Sequence, residues 1–592
     1  MSIVTPFNEH STPEPQAKQS IADPIDTEIV HHALKSAARQ MYIALVRTSV
    51  SPLIYATVDF SIAVFDKRMR LLSQSPGMTL FLGSMGFTLE AAVRLAGGVD
   101  KLGPGDILIL NIPYETGTHP NDVGLIMPVF DDARELVAYV ALKFHLSDVA
   151  GKAPYITDST DGFQEGVFYP SMKLYRGGRR VEEVHRLLLA NTRVPKQMAG
   201  DIAAGAAALH TGAVEVLRVM KRFGLERFES AVERLLDQSE ARTREFIAGL
   251  PDGRYVARGQ LDNDGISQEP VPLELTVEIH GTELCVDFSN ASDKVVGPYN
   301  CPLPLTISAA RVAVAMLAGR GEMPNEGHFR PISVKTRPDS IYEPKPPAPT
   351  FLGFWTGLQI IDMVHAAIAQ AAPETVPAGS GGDVCGTMYW GYREKTGEPW
   401  CAGLPFPVGQ GGSSHGDGIE FNHIGAGAQR LSPAEEWDRQ NPMLTECIEF
   451  VPDSCGAGKH RGGMGVRIVF RVLEDAYATA TIERAKFPGI GLIGGTNATA
   501  NSLTVYFPDG TRDVRNKFTS LHIPKGSRVE TITGGGGGYG RPEERDDAAL
   551  VEDLLGGYIT REYLLKHYPQ GARILQAIEE TRVTENTAAS DR

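Results

Sequence analysis

The chain has 592 residues, 42% of them hydrophobic and 22% charged, and a formal charge of −15 from 57 basic and 72 acidic side chains. That length exceeds what one hydrophobic core serves, so about two to four packed units are expected. The acidic surplus excludes nonspecific binding to a phosphate backbone, which needs clustered Lys and Arg, and disfavours an anionic membrane surface.

Six cysteines, Cys285, Cys301, Cys385, Cys401, Cys447 and Cys455, form no C-x-x-C pair. That excludes a zinc ribbon and a thioredoxin-type motif and fits free thiols in a reducing cytosol. Residues 1–22 are polar, carry three prolines and lack the apolar core of a signal peptide. No apolar run approaches the roughly 20 residues that cross a bilayer. The expectation is a soluble, cytoplasmic protein with a disordered or extended tail over 1–22.

In chain order, Asp26 is a candidate cap for a helix whose apolar positions Ile29, Ala33, Ala37, Met41 and Leu45 recur at helical spacing. Asp59–Phe65, Asp106–Leu110, Gly124–Phe130 and Leu136–Phe144 read as strands. Asp201–Leu250 reads as helical and ends at Pro251-Asp252-Gly253. Alternating strands are expected from Tyr255 to Phe288, and a helix over Thr306–Leu317. The glycine-rich last third holds strand-like runs at Val466–Val472, Ala478–Ile482 and Ser502–Phe507, then helices at Asp546–Leu555 and Thr560–Lys566. Strands and helices come in blocks, which predicts an α+β fold: multi-layer, with mixed β-sheets, helical segments and several packed units. The expected division is a metal-binding α+β domain over 23–250, an α+β middle domain over 251–390, and a glycine-rich β domain with C-terminal helices over 391–592.

Two His-x-x-Asp clusters stand 26 residues apart, His119-Pro120-Asn121-Asp122 and His145-Leu146-Ser147-Asp148. The two predicted strands between them form a hairpin, which brings the loop before the first against the loop after the second. Two imidazoles and one or two carboxylates then converge, a donor set that suits Zn²⁺, Mn²⁺ or Fe²⁺. Asp148 is either a ligand or the orienter of one. Asp59, in Asp59-Phe60-Ser61, either caps a strand or faces a site. The run Gly534–Gly538 either makes a concave anion nest or a tight structural turn; it lacks the Lys and Ser/Thr of a Walker A loop. Arg461-Gly462-Gly463-Met464-Gly465 shapes a turn or aims Arg461 at a carboxylate. His415 and Asp417 sit in another glycine-rich loop as candidate substrate contacts. The absence of G-x-S-x-G, H-E-x-x-H and a strand-to-helix G-x-G-x-x-G weighs against serine hydrolase, zincin and dehydrogenase chemistry.

These segments together resemble the hydantoinase B family, which includes parts of 5-oxoprolinases, N-methylhydantoinases, caprolactamase, and acetone and acetophenone carboxylases. The matching stretches are Arg47-Thr48-Ser49-Val50-Ser51, Asp59-Phe60-Ser61, Asn111 through Asp122, Pro128-Val129-Phe130, His145 to Gly151, Gln164-Glu165-Gly166, Asp453 to Gly463 and Gly535 to Arg545. They run in register from about residue 24 to 568. The resemblance implies that His119, Asp122 and His145 are the metal ligands, with Asp148 and Asp59 as catalytic groups and Asn111, Tyr114, His415 and Asp417 near substrate. It implies an actin-like, hydantoinase A-type partner subunit that binds ATP and Mg²⁺, hence a hetero-oligomer. The implied reaction is ATP-driven opening of a cyclic amide or, in the carboxylase branch, carboxylation of a ketone with bicarbonate. A non-catalytic scaffold subunit is the third reading. The family's N-D-P-Y reads Asn111-Ile112-Pro113-Tyr114 here, its H-L-G reads Phe81-Leu82-Gly83, and its Gly-Gly reads Ala150-Gly151. The first two changes predict a less polar substrate if those positions line the substrate cavity.

Overall fold

Asp23, not Asp26, starts the first helix: its carboxylate accepts the Asp26 N–H, and Pro24 occupies the first turn of Pro24–Thr48. Asp26 instead pairs with Arg227. The buried stripe is Val30, Leu34, Ala37, Met41 and Leu45, so the expected stripe is shifted at its start, where Ile29 stays exposed. The structure, a computed structural model, describes residues 2–4, 22–319, 321–422, 427 and 429–590. Most of the expected tail lies outside the described residues; within it, Ser2–Val4 pairs antiparallel with Ile332–Thr336.

Helix Pro195–Phe223 packs along Pro24–Thr48, and Gly212 sets how closely: a Cβ there would lie 2.2 Å from Met41 Sδ. This helix is long and apolar enough to cross a bilayer, yet over half of its most apolar window is buried inside the fold. Beneath the two helices lies a seven-stranded antiparallel sheet. Its order is Leu71–Gln74, Phe60–Asp66, Leu136–His145, Asp122–Phe130, Ile107–Leu110, Met172–Arg176 and Arg179–Arg180. Its inner strands are buried on both faces, which is why they read as continuous apolar runs. Val64, Leu125 and Leu142 face the two helices. Ala63, Ile126 and Ala141 face helix Met85–Leu95, joined there by Ala315 of helix Leu303–Ala318.

A second sheet orders Ser2–Val4, Ile332–Thr336, Glu283–Asp287, Val271–His280 and Gly253–Leu261, with one parallel pair between Glu283–Asp287 and Ile332–Thr336. Helix Gly353–Ile368 packs on it. That helix is buried on nearly every side and so carries no amphipathic signature, which is why sequence patterning passes over it. Two further sheets complete the chain. One orders Pro399–Leu404, Gly386–Tyr392, Ala476–Thr481 and Lys517–Ile523. The other orders Met443–Phe450, Val466–Val472, Arg528–Ile532, Ser502–Tyr506 and Arg512–Asp513. The architecture is α+β with several packed layers. The expected boundary at 390/391 falls inside strand Gly386–Tyr392, which pairs with Ala476–Thr481.

The five-glycine run is the axis of a glycine stack, which decides against an anion nest. A Cβ on Gly534 or Gly537 would meet the oxygens of Thr499 or Ile490 at 2.5 and 2.3 Å. On Gly535 or Gly538 it would meet Ser454 or Ala457 at 2.3 and 2.0 Å, and on Gly536 it would meet Gln410 at 1.8 Å. The direction repeats every three residues, the period of a polyproline II helix, and neighbouring main chain closes in on all three sides. Amides of Gly536, Gly537 and Gly538 donate to Gly463, Gly379 and Thr496 carbonyls, leaving none of those three for a ligand. Arg461 holds Asp553 and Glu420 at the rim of this stack.

Candidate metal centre

The hairpin forms with the register that the two motifs require. Asp122 opens the first strand, His145 closes the second, and the two are direct cross-strand partners. Both motifs were expected in loops; instead Asp122 and His145 are strand residues, and only His119 sits on the loop before. Asn121 ties the two ends, donating from Nδ2 to the Leu146 carbonyl at 2.9 Å and accepting the Leu146 N–H at its own carbonyl. The main chain of the neighbouring strand joins in, with the His145 N–H on the Asp59 carbonyl at 3.1 Å.

His119 Nε2 lies 3.0 Å from His145 Nδ1 and 3.2 Å from Asp122 Oδ2, and His145 Nδ1 lies 3.1 Å from Asp122 Oδ1. All three residues are buried, and their ligand atoms fall within 4.8 Å of one another. Bonds of about 2.1 Å to one ion separate adjacent donors by about 3.0–3.4 Å, so this spacing fits a single divalent metal. Two further observations support the fit. His119 Nδ1 is 2.9 Å from the Phe351 carbonyl, which takes its proton and leaves the Nε2 lone pair facing the centre. Asp59 Oδ1 is buried without a hydrogen-bond partner among the described residues, and the near polar neighbour of the buried Asp122 Oδ2 is His119 Nε2, so both oxygens have capacity for a cation.

Electrostatics follow from burial. Burial alone would raise Asp122, but the two imidazoles outweigh it and hold its carboxyl well below the usual range. His119 is raised despite burial, because Asp122 stabilises its charged form. Asp59 is pushed up to about 6, chiefly by burial and further by the Asp122 charge, against the pull of His145 and His119 and a hydrogen bond from Gln429. Val58, just before it, holds φ at +61°, an uncommon conformation for a β-branched residue that turns the chain so that Asp59 enters the site. Asp59 therefore faces the centre and is no strand cap. Lys143, on the same face of its strand as His145, is lowered to about 7 by burial and donates to Ser84 Oγ and the Thr116 carbonyl.

Aromatic rings enclose the imidazoles. Phe351 lies 4.8 Å and Tyr155 5.9 Å from the His119 ring, and Tyr155 reaches within 6.1 Å of both His145 and Trp355. Glu165 braces this wall: it accepts the N–H groups of Thr350 and Phe351 at 2.8 and 2.9 Å and the Ser159 hydroxyl at 2.7 Å. Burial pushes its carboxyl up to about 7 against those bonds. Glu165 belongs to the Gln164-Glu165-Gly166 motif, so the sequence held a signal for it. Phe351 acts through its main chain and Tyr155 through packing, and neither leaves a motif.

Five expected site residues are not brought to the centre. Asp148 points away and grips Arg193 at 2.5 Å, the Arg193 amide and the Thr192 hydroxyl, so its carboxylate is spent on structure. Asn111 has no free polar atom: its amide donates to the Pro120 and Val167 carbonyls and accepts the Tyr169 N–H, bracing the loop that carries His119. The Tyr114 hydroxyl is held by the Ala348 carbonyl at 2.6 Å. His415 is exposed in a turn of the glycine stack, and Asp417 is clamped there by Arg545 and the Arg461 amide. Phe81, one of the departures, is fully buried against Phe354 and Lys143 and lines no open surface.

The structure is a large α+β subunit in which two histidines and an aspartate meet, buried, on an antiparallel sheet, a donor set that could hold a divalent ion. Residues 23–542 match the Hydantoinase B/oxoprolinase family, and the chain belongs to that family. It is 29% identical over 565 residues to the B subunit of a putative D-/L-hydantoinase from Pseudomonas sp. (strain NS671), covering 92% of this chain and 95% of that protein. The crystal structure of ATP-dependent caprolactamase from Pseudomonas jessenii superposes with a TM-score of 0.83 at 27% identity, over 92% of this chain and 95% of that one. A nucleotide-free acetone carboxylase shares the fold, with a TM-score of 0.83 at 16% identity over 95% of this chain and 84% of that one. The chain is thus a hydantoinase B-type subunit.

Proposed function

We propose that this chain is the metal-bearing subunit of an ATP-dependent enzyme that opens cyclic amides, working in the cytoplasm with a separate hydantoinase A-like subunit that binds ATP and Mg²⁺. The observation that carries the reading is the buried convergence of His119 Nε2, His145 Nδ1 and an Asp122 carboxylate oxygen, with the buried Asp59 linked to it electrostatically. An unstrained amide is a poor electrophile, so phosphoryl transfer from ATP to its oxygen, releasing ADP, supplies the driving force; two waters then cleave the C–N bond and the phosphate ester, leaving the ring-opened amino acid and phosphate. A divalent ion, Zn²⁺, Mn²⁺ or Fe²⁺, held by the three ligands would act as a Lewis acid on a substrate oxygen.

The chain's own groups do the rest. Phe351 O fixes the His119 tautomer. The rings of Tyr155 and Phe351 exclude bulk water and offer a flat apolar wall to a ring substrate. Asp59 Oδ1 takes or returns a proton, its value of about 6 drawn down when a cation is bound.

The test is to co-express the chain with a hydantoinase A-like subunit and measure ATP hydrolysis against lactams, cyclic imides and ketones, with and without bicarbonate. Turnover stimulated by a cyclic amide alone supports the hydrolase. Turnover that needs both a ketone and bicarbonate selects a carboxylase. Full activity in a His119→Ala variant would leave the chain a scaffold.

A further inference from the structure

Helix Gly353–Ile368 braces the metal centre near its first turn, and further along it floors a second cavity of about 730 Å³. The cavity opens between strands Gly253–Leu261 and Val271–His280, this helix, and the loop 484–492. Its size is that of a small-molecule site, and none of the metal ligands or their braces lines it. Met363 and Ala366 of the helix and Phe487, Ile490 and Leu492 of the loop make an apolar floor and lip. Ile490, 62% exposed, stands at its edge.

The charges around the cavity do not cancel. Arg258 is paired with Glu274 at 2.8 Å and Arg484 with Asp362 at 2.6 Å. Lys486 has no such partner among the described residues: its ammonium donates to the main-chain carbonyls of Asp262 and Gln268 at 3.2 and 3.0 Å, which fix it but leave its charge and its third proton unspent. His365 is held neutral by burial, with Nε2 on the Ala313 carbonyl. Arg484 adds a strained element. Its φ is +59°, its Nε is buried without a partner, and Gly382 lies so close that a Cβ would sit 2.4 Å from that nitrogen. Non-glycine residues held in this region cost of order 1–3 kcal/mol and gather at ligand clamps.

We propose that this cavity is a second ligand site, for a small monoanion with an apolar body: a medium-chain or aromatic carboxylate whose head meets Lys486 beside the Arg484–Asp362 pair and whose body lies on Met363, Ala366 and Phe487. The site stands independently of the metal chemistry.

The test uses the purified full chain and the fluorescent monoanion 1-anilinonaphthalene-8-sulfonate, displaced by octanoate or by the neutral octan-1-ol. Octanoate should displace the dye about tenfold better than octan-1-ol, since one charge-assisted contact separates them. Lys486→Met should erase that preference while leaving octan-1-ol displacement unchanged. Ala366→Trp, which grows from an exposed helix position into the cavity, should remove dye binding. Both positions are exposed, so thermal midpoints should stay at the wild-type value. Absence of dye binding, dye binding unaffected by Ala366→Trp, or equal displacement by octanoate and octan-1-ol in the wild type would overturn the proposal.

Discussion

The Glu165 carboxylate and the His119 imidazole are joined through one stretch of main chain: Glu165 accepts the amides of Thr350 and Phe351, and the Phe351 carbonyl accepts the Nδ1 proton of His119. A carboxylate more than 40 residues from His119 in sequence thereby sets which imidazole nitrogen faces Asp122 and His145. Groups that orient a ligand in this way are typically worth about 10–100-fold in metal affinity. Glu165→Ala is expected to weaken metal binding by about that factor with the fold retained, measured by competition with a chromogenic chelator. Unchanged affinity would show that the loop holds Phe351 without help.

Asp122 and Asp59 are expected to separate by role. Asp122→Asn removes the carboxylate that, among the described residues, contacts both imidazoles, and should abolish stable metal binding. Asp59→Asn keeps the three ligands and should retain the metal while lowering turnover roughly 100-fold or more, as expected for a lost proton-transfer group. Metal analysis and turnover on the same preparations check both; loss of metal in Asp59→Asn would make Asp59 a ligand instead.

Buried carboxylates give the metal-free protein a pH signature. Asp59, Glu165 and Asp383 are pushed up by burial to about 6, 7 and 7, from 3.8, 4.5 and 3.8. The folded state therefore holds protons that the unfolded chain releases between about pH 4 and 7, so their contribution favours folding below that window and is lost as pH rises through it. His119, raised by Asp122, acts in the same direction through its own titration. Buried histidines such as His328, lowered to about 4, and His365 act in the opposite direction, so the expected outcome is a difference: between pH 5 and 7.5 the denaturant midpoint of the metal-free wild type should change in the stability-losing direction relative to that of an Asp59→Asn/Glu165→Gln double variant. An equal change in both proteins would remove these groups from the account.

The glycine stack predicts a sharp contrast between two glycines of the same region. Gly536→Ala drives a methyl group into the Gln410 carbonyl and should cost roughly 3 kcal/mol or more, enough to lose soluble protein. Gly416→Ala meets nothing within 4 Å and should leave the thermal midpoint within a degree or two (about 0.5 kcal/mol). Similar behaviour of the two variants would argue against the stack.

Ala150 stands at φ +66° where the family pattern has glycine. A Cβ in that conformation is strained, and glycine relieves the strain at some cost in chain entropy. Ala150→Gly is expected to stabilise the protein by up to about 1 kcal/mol in chemical denaturation. A destabilised variant would mean that Ala150 packing outweighs its backbone strain.

The convergence of His119, Asp122 and His145 was legible in the sequence because its geometry is local. Asp122 and His145 are brought together by one hairpin, and the apolar runs on either side of the turn 131–135 fix its register. Asp148 misled because it repeats the His-x-x-Asp spacing, yet the chain leaves the strand after His145 and turns that carboxylate toward Arg193. The Phe351 carbonyl lies 232 positions from His119 and acts through a main-chain atom that every residue possesses, so no pattern reveals it. Asn111 looked like a substrate contact because polar residues near a site resemble ligands; only the count of its hydrogen bonds shows it is a brace. The glycine run was ambiguous for a related reason: a nest and a tightly packed axis both need glycine, and only the neighbouring segments decide between them.

The central claim is that His119, Asp122 and His145 hold one divalent ion, and elemental analysis of the dialysed wild-type protein beside His145→Ala tests it most directly. The account predicts about one first-row divalent ion per chain in the wild type and essentially none in the variant. A wild type that stays metal-free after incubation with Zn²⁺, Mn²⁺ and Fe²⁺, or a variant that keeps its ion, would contradict it.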